Sequence, residues 1–199
     1  MTVAEQEAHI FLGPLIGKTA TFILDERRTN LDFARSVMVY LAEAGLSCTV
    51  FDLDALYSSN SEILFSNLPQ SWIDSMEIIV PDLRITMDDA FPQIISRSSE
   101  VIIIDSLNTL YHLLGAVEGA SKSRVLYFLI SALSYLASSG KKIVILTMYK
   151  REGFGRSGSK SISSFSSVTS AVQAKGEGLF ARTIRGVAWP GGGLSIRNL

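Results

Sequence analysis

The stretch Val101-Ile102-Ile103-Ile104-Asp105-Ser106-Leu107 narrows the possible folds more than any other part of this chain. Four consecutive β-branched apolar residues suit a strand covered on both faces, the habit of parallel sheets flanked by helices. Ile143-Val144-Ile145-Leu146-Thr147 repeats the pattern, and between the two runs Val125, Leu126, Leu129, Ile130, Leu133 and Leu136 recur at helical spacing within residues 123–138. Strand, helix and strand in this order predict an α/β fold. In open α/β sheets ligands bind outside the carboxyl ends of the strands, so Asp105 is a candidate ligand contact. The alternative is an Asp that caps the turn or helix after it.

The same alternation runs along the rest of the chain. Residues 19–24 are β-branched and aromatic and predict a strand. Asn30 can cap a helix in which Leu31, Ala34, Val37, Met38 and Leu41 recur until Gly45 ends it. A strand over 48–51 follows, carrying Asp52 and Asp54 at its end. Residues 57–76 are polar and serine-rich, which suits a short helix and connecting loops. A short strand over 76–81, a helix over 86–96 and a short helix over 107–114 come next, and a loop of small residues covers 115–121. Near the C-terminus, strands over 180–188 and 194–197 flank Pro190-Gly191-Gly192-Gly193 and predict an antiparallel hairpin at the sheet edge.

With 199 residues, 47% hydrophobic and 19% charged, the chain is long enough to bury one full core, and a single domain is expected. No apolar run reaches the length that spans a bilayer, and Glu5, Glu7 and His9 give the N-terminus no signal-peptide shape, so a cytoplasmic protein without membrane contact is expected. Cys48 is the sole cysteine, and His9 and His112 lie far apart, which leaves no spacing for a metal cluster.

Charge is divided unevenly. Residues 1–140 hold 8 Lys and Arg against 17 Asp and Glu, whereas residues 141–199 hold 10 against 2. Such asymmetry points to a polyanionic partner for the C-terminal part. Within it, residues 150–175 are rich in Ser and Gly and carry Lys150, Arg151, Arg156, Lys160 and Lys175, which predicts a mobile basic loop. Its cations suit nucleic-acid phosphates, and Phe154 or Phe165 suits stacking on an exposed base. A solvated surface loop is the plainer reading of the same residues. Arg182 and Arg185, three apart on a strand, point to opposite faces unless a bulge intervenes.

Gly13-Pro14-Leu15-Ile16-Gly17-Lys18-Thr19 imitates the phosphate-binding loop G-x-x-x-x-G-K-[ST]. Three residues separate its glycines where the loop needs four, and a strand follows where a helix should open. A nucleotide's phosphates would instead meet the turn Asp25-Glu26-Arg27-Arg28-Thr29-Asn30, which holds neither glycine nor lysine. Its two carboxylates repel a triphosphate, and its side chains keep the backbone from closing around one.

In outline the chain resembles the RecA, RadA and KaiC group of P-loop ATPases over nearly its whole length. Leu12-Gly13 through Gly17 to Phe22-Ile23 resembles that group's lead-in to its first core strand, Phe51-Asp52-Leu53-Asp54 the segment with the catalytic Glu, and Val101 onward the Walker B strand. The resemblance implies an α/β, RecA-like, mostly parallel twisted sheet with helices on both faces and the C-terminal hairpin. It divides the single domain into a lead-in over 1–18, a basic loop over 150–176 in the place of the second DNA-binding loop, and a hairpin over 177–199. It also implies vestigial catalytic roles for Asp54 and Asp105, with Asp105 aiding Mg²⁺ only if a nucleotide binds. Arg27, Arg28, Thr29 and Asn30 stand at the nucleotide position, with Thr29 and Asn30 where the family has Lys and Ser/Thr. Asp54 is one methylene shorter than Glu, and the Gln often found after the later core strand is absent from Thr147-Met148-Tyr149-Lys150. Losing the lysine and the amide cradle removes the main support of phosphoryl transfer, so hydrolysis is expected to be weak or absent.

Degenerate RecA-like subunits of the Elongator complex and recombinase paralogues are similar in this respect and serve as assembly partners. The expectation is therefore a non-catalytic, cofactor-free protein that binds nucleic acid, DNA ahead of RNA, and assembles with itself or with RecA-like subunits. Its nucleic-acid contacts would be Lys150, Arg151, Arg156, Lys160, Arg182 and Arg185. Two alternatives stand beside it. One is an ATPase with an atypical loop, using ATP and Mg²⁺, in which Lys18, Arg27 or Arg28 replaces the missing lysine. The other is a regulatory scaffold that binds no nucleic acid.

Overall fold

The computed structural model describes residues 2–25, 27–80, 92, 94–113, 121–150, 166–176, 178–186, 189 and 193–197. The described chain runs α1 (Val3–Leu12), β1 (Lys18–Leu24), α2 (Arg27–Glu43), β2 (Cys48–Asp52), α3 (Leu56–Ser59), α4 (Ser61–Phe65), α5 (Gln70–Ile73) and β3 (Glu77–Ile79). It continues with β4 (Val101–Asp105), α6 (Leu107–Leu113), α7 (Lys122–Gly140), β5 (Ile143–Tyr149), β6 (Val168–Lys175), β7 (Gly178–Arg185) and β8 (Gly193–Arg197). The strands form one sheet in the order β3-β2-β4-β5-β1-β6-β7-β8. From β3 to β6 all neighbours are parallel, whereas β7 is antiparallel to both β6 and β8. The protein is thus α/β, with a mostly parallel sheet and an antiparallel C-terminal hairpin.

Continuous apolar runs become strands here because both sheet faces are covered. Val101, Ile103, Ile143 and Ile145 enter a core with Phe11, Phe22, Phe33 and Tyr40, on the face where α1 and α2 lie. Ile102, Ile104, Val144 and Leu146 enter a second core with Leu107 and Leu110 of α6 and with Leu126, Leu129, Ile130 and Leu133 of α7. β4 and β5 alternate their side chains between the two cores, so both parities are apolar up to Asp105 and Thr147.

Four local expectations are corrected. Gly13-Pro14-Leu15 forms a single 3₁₀ turn and Lys18 opens β1, so Lys18 sits at the amino end of the sheet, away from any crevice at the carboxyl ends. Asn30 is not a cap: α2 starts at Arg27, and Asn30 is buried within its first turns. Helix α7 extends past the stripe expected within 123–138 and runs through Gly140, and Lys141, with φ 52°, takes the left-handed conformation after it. The basic loop expected over 150–176 does not extend to 176, because Val168–Lys175 is a strand paired in parallel with β1. The free edge of β1 satisfies its backbone, and burial of Val168 and Val172 in the first core outweighs the small polar residues between them. Most of the helix expected over 86–96 lies outside the described residues.

The N-terminal segment is also more structured than a lead-in. Thr2 Oγ1 accepts from the Glu5 amide at 3.1 Å, while Glu5 Oε2 accepts from the Thr2 amide at 2.6 Å, a reciprocal cap that starts α1. Among the described residues no helix is long and apolar enough to cross a membrane.

After β7 the chain turns at Gly186, whose φ is +85°; a Cβ there would lie 2.2 Å from the Ser167 carbonyl oxygen. Gly186→Ala is expected to cost at least about 2 kcal/mol, because the left-handed backbone is strained for alanine and the Ser167 backbone must move. Gly45→Ala, where φ is +65° but space is open, is the control and should cost about 1 kcal/mol. Urea unfolding of both variants checks this, and equal losses would show that the contact at Ser167 is unimportant.

Candidate functional site at the carboxyl ends of the parallel strands

The connection after β1 passes through α2 on one face of the sheet, while those after β4 pass through α6 and α7 on the other. Crevices open at such reversals, outside the carboxyl ends of the strands. Asp105 ends β4 at this reversal, beside β5, with no exposed surface. Its Oδ1 accepts from Asn30 Nδ2 at 3.2 Å and from the Thr147 hydroxyl of β5. Asn30 Nδ2 also donates to the Tyr149 hydroxyl at 2.5 Å. A polar knot therefore ties the start of α2 to the ends of β4 and β5.

Two atoms of the knot are left over. Asp105 Oδ2 and Asn30 Oδ1 are buried acceptors without a hydrogen bond. Burial pushes the Asp105 carboxyl up to about 6, the donors Thr147 and Asn30 oppose this, and the charges of Asp54 and Asp52 add to it. The Tyr57 phenol is driven well above its ordinary value by burial first and then by neighbouring charges, Asp105 foremost.

The other two carboxylates are occupied differently. Asp52 at the end of β2 is buried and accepts from the amides of Tyr57 at 3.2 Å and Ser58 at 2.8 Å. Asp54 is exposed; its oxygens take the Ser106 hydroxyl at 2.8 Å and the Thr109 hydroxyl. The Leu53 and Asp54 amides donate to the Asp105 carbonyl at 2.7 and 3.2 Å, so the backbone after β2 is pinned against β4. Among the described residues no three His, Cys, Asp or Glu side chains come together in a way that could hold a metal ion.

Of the candidates at the nucleotide position, Thr29 and Asn30 are buried and Arg28 is exposed on the first turn of α2; the Arg27 side chain is outside the described set. Lys150 follows β5 with its ammonium 3.9 Å from Asp25. Arg151, Arg156 and Lys160 lie outside the described residues, as do Phe154 and Phe165. Arg182 and Arg185 are exposed on β7, and a bulge does intervene: Thr183 pairs with Ser170 and Arg185 with Thr169, which leaves Ile184 as the extra residue. Two residues then oppose one, and Arg185 returns to the face of Arg182.

Sequence reasoning missed Thr147, Tyr149 and Asn108. Asn108 accepts from the Tyr149 amide at 2.8 Å and donates to the Tyr149 carbonyl at 3.3 Å, clamping α6 to the end of β5. The available signal was a hydroxyl at the end of an apolar strand run, which has no purpose in a core unless a polar partner is buried beside it. The sequence matches no protein-family model and no curated protein.

Proposed function

We propose that this chain is a RecA-like protein without effective ATPase activity, which binds nucleic acid through its basic C-terminal part and assembles with itself or an ATPase of the same fold, in DNA recombination and repair. The length of the β1–α2 connection carries the non-catalytic half of this reading. β1 ends at Leu24 and α2 begins at Arg27, which leaves two residues, both acidic. A phosphate cradle needs a longer, glycine-containing turn whose amides converge on the ligand. Asn30 and Asp105, standing for the family's hydroxyl and metal-binding carboxylate, are also joined to each other. The sheet order, with β5 between β1 and the acidic strand β4, supports the RecA-like part of the reading. The excess of cations after residue 140 supports the nucleic-acid part.

Titration with labelled ATP, with and without Mg²⁺, is expected to give no saturable binding below about 1 mM, the upper end of ordinary enzyme KM values, and no phosphate release. Micromolar binding or steady turnover would overturn the non-catalytic reading. Replacing Lys150, Arg151, Arg156 and Lys160 together with Ala should lower the slope of log affinity for single-stranded DNA against log salt by up to roughly 3. An unchanged slope would remove those residues from the site.

A further inference from the structure

The three C-terminal strands present a sheet face of unusual chemistry. No residue of β6, β7 or β8 is acidic. Val172, Ala181 and Ile196 pack into the first core, so the opposite parity of each strand turns to the other face of the sheet. Register places Gln173, Lys175, Phe180, Arg182 and Ser195 on that other face, and the bulge at Ile184 adds Arg185 to it. Gln173, Lys175, Arg182, Arg185 and Ser195 are all exposed.

Phe180 is the centre of this face. Its ring is half-buried, with the Lys175 ammonium 4.7 Å from its centroid. On β8 it meets a glycine, and a Cβ on Gly193 would come within 2.4 Å of the ring. The missing side chain lets the ring lie close against the β8 backbone. An aromatic ring among cations on three strands without a carboxylate matches a ligand that offers both phosphates and flat rings.

We propose that this face binds single-stranded nucleic acid, with Phe180 stacking on an unpaired base while Lys175, Arg182 and Arg185 contact phosphates. The proposal rests on the nucleic-acid reading above and moves its centre from the residues after β5 to the sheet. Only an unpaired base can expose a ring face to a side chain on a sheet, as single-strand binders use their aromatic residues. A duplex hides its ring faces in its own stack.

The test is fluorescence anisotropy with a labelled oligo-dT strand and an equally long duplex, over a salt series. The parent protein should prefer the single strand. Arg182→Ala with Arg185→Ala should lower the salt slope by about 1.4, two phosphate contacts at roughly 0.7 each on a single strand. Phe180→Leu should weaken binding at least about fivefold without changing that slope. The two arginines are exposed and their double variant should fold, which keeps the test decisive if Phe180→Leu is unstable by circular dichroism. Binding unaffected by the sheet variants but lost on replacing Lys150, Arg151, Arg156 and Lys160 overturns this proposal and leaves the nucleic-acid reading standing. Equal or tighter binding of the duplex overturns the single-strand assignment, and binding of neither overturns both readings.

Discussion

Asp105→Asn should make the protein about 3 kcal/mol more stable at pH 7 and above, and the gain should disappear below about pH 4. The Asp105 carboxyl is fully buried, and its proton affinity is raised from 3.8 to about 6. A group that holds its proton more tightly when folded contributes its full stability below the unfolded value. That contribution is lost as pH rises through the folded value, so the window of loss runs from about 4 to about 6. Above it, folding must bury an ionised carboxylate whose Oδ2 has no donor. An amide at 105 keeps an acceptor for Thr147 and Asn30, carries no charge, and replaces the unsatisfied oxygen with a donor. Asp52 and Asp54 are present in both proteins, but their repulsion of an ionised Asp105 disappears with its charge and is part of the gain. Denaturant unfolding at pH 4, 5, 6.5 and 8 measures the difference; a variant less stable than its parent at pH 8 would contradict the burial argument.

Phe11→Ala should cost about 3–5 kcal/mol, the range for deleting a fully buried ring from a packed core. Phe11 of α1 has no exposed surface and packs against Phe22 of β1, at 5.8 Å between centroids, and against Trp189, at 5.9 Å, two rings that are themselves 6.4 Å apart. Tyr40 and Phe33 of α2 meet it at 5.4 and 6.3 Å. One side chain thus joins the N-terminal helix, the central strand, the helix beside it and Trp189, which lies between β7 and β8. For a chain of this size the loss corresponds to a fall in Tm of roughly 10 °C. A cost under about 1 kcal/mol would mean that α1 is an accessory rather than part of the core.

The alternation of strands and helices was legible wherever one residue type dominated a run. Val101 to Ile104 and Ile143 to Leu146 could only be buried strands, and the stripe from Val125 to Leu136 could only be a helix with one covered face. The capping pair Thr2 and Glu5 carries an equally visible Ser/Thr-x-x-Glu spacing ahead of α1. At the site, Asp105 could be found from its place at the end of a run. Its partners could not, since Asn30 and Tyr149 are 75 and 44 positions away in the chain.

What the sequence determined by itself was local and periodic: which runs alternate, which carry a helical stripe, and that no lysine follows β1 to hold a phosphate. The tertiary structure alone decided where polar residues end up. Thr169 and Ser170 lie in a buried strand because β1 offers them an unpaired edge, and Asn30 is buried because the helix that carries it starts four residues earlier than its own capping preference suggests. Arg182 and Arg185 share a face because one extra residue in β7 shifts the alternation. Polar side chains take their roles from partners distant in the chain, and only the folded sheet brings those partners within hydrogen-bonding reach.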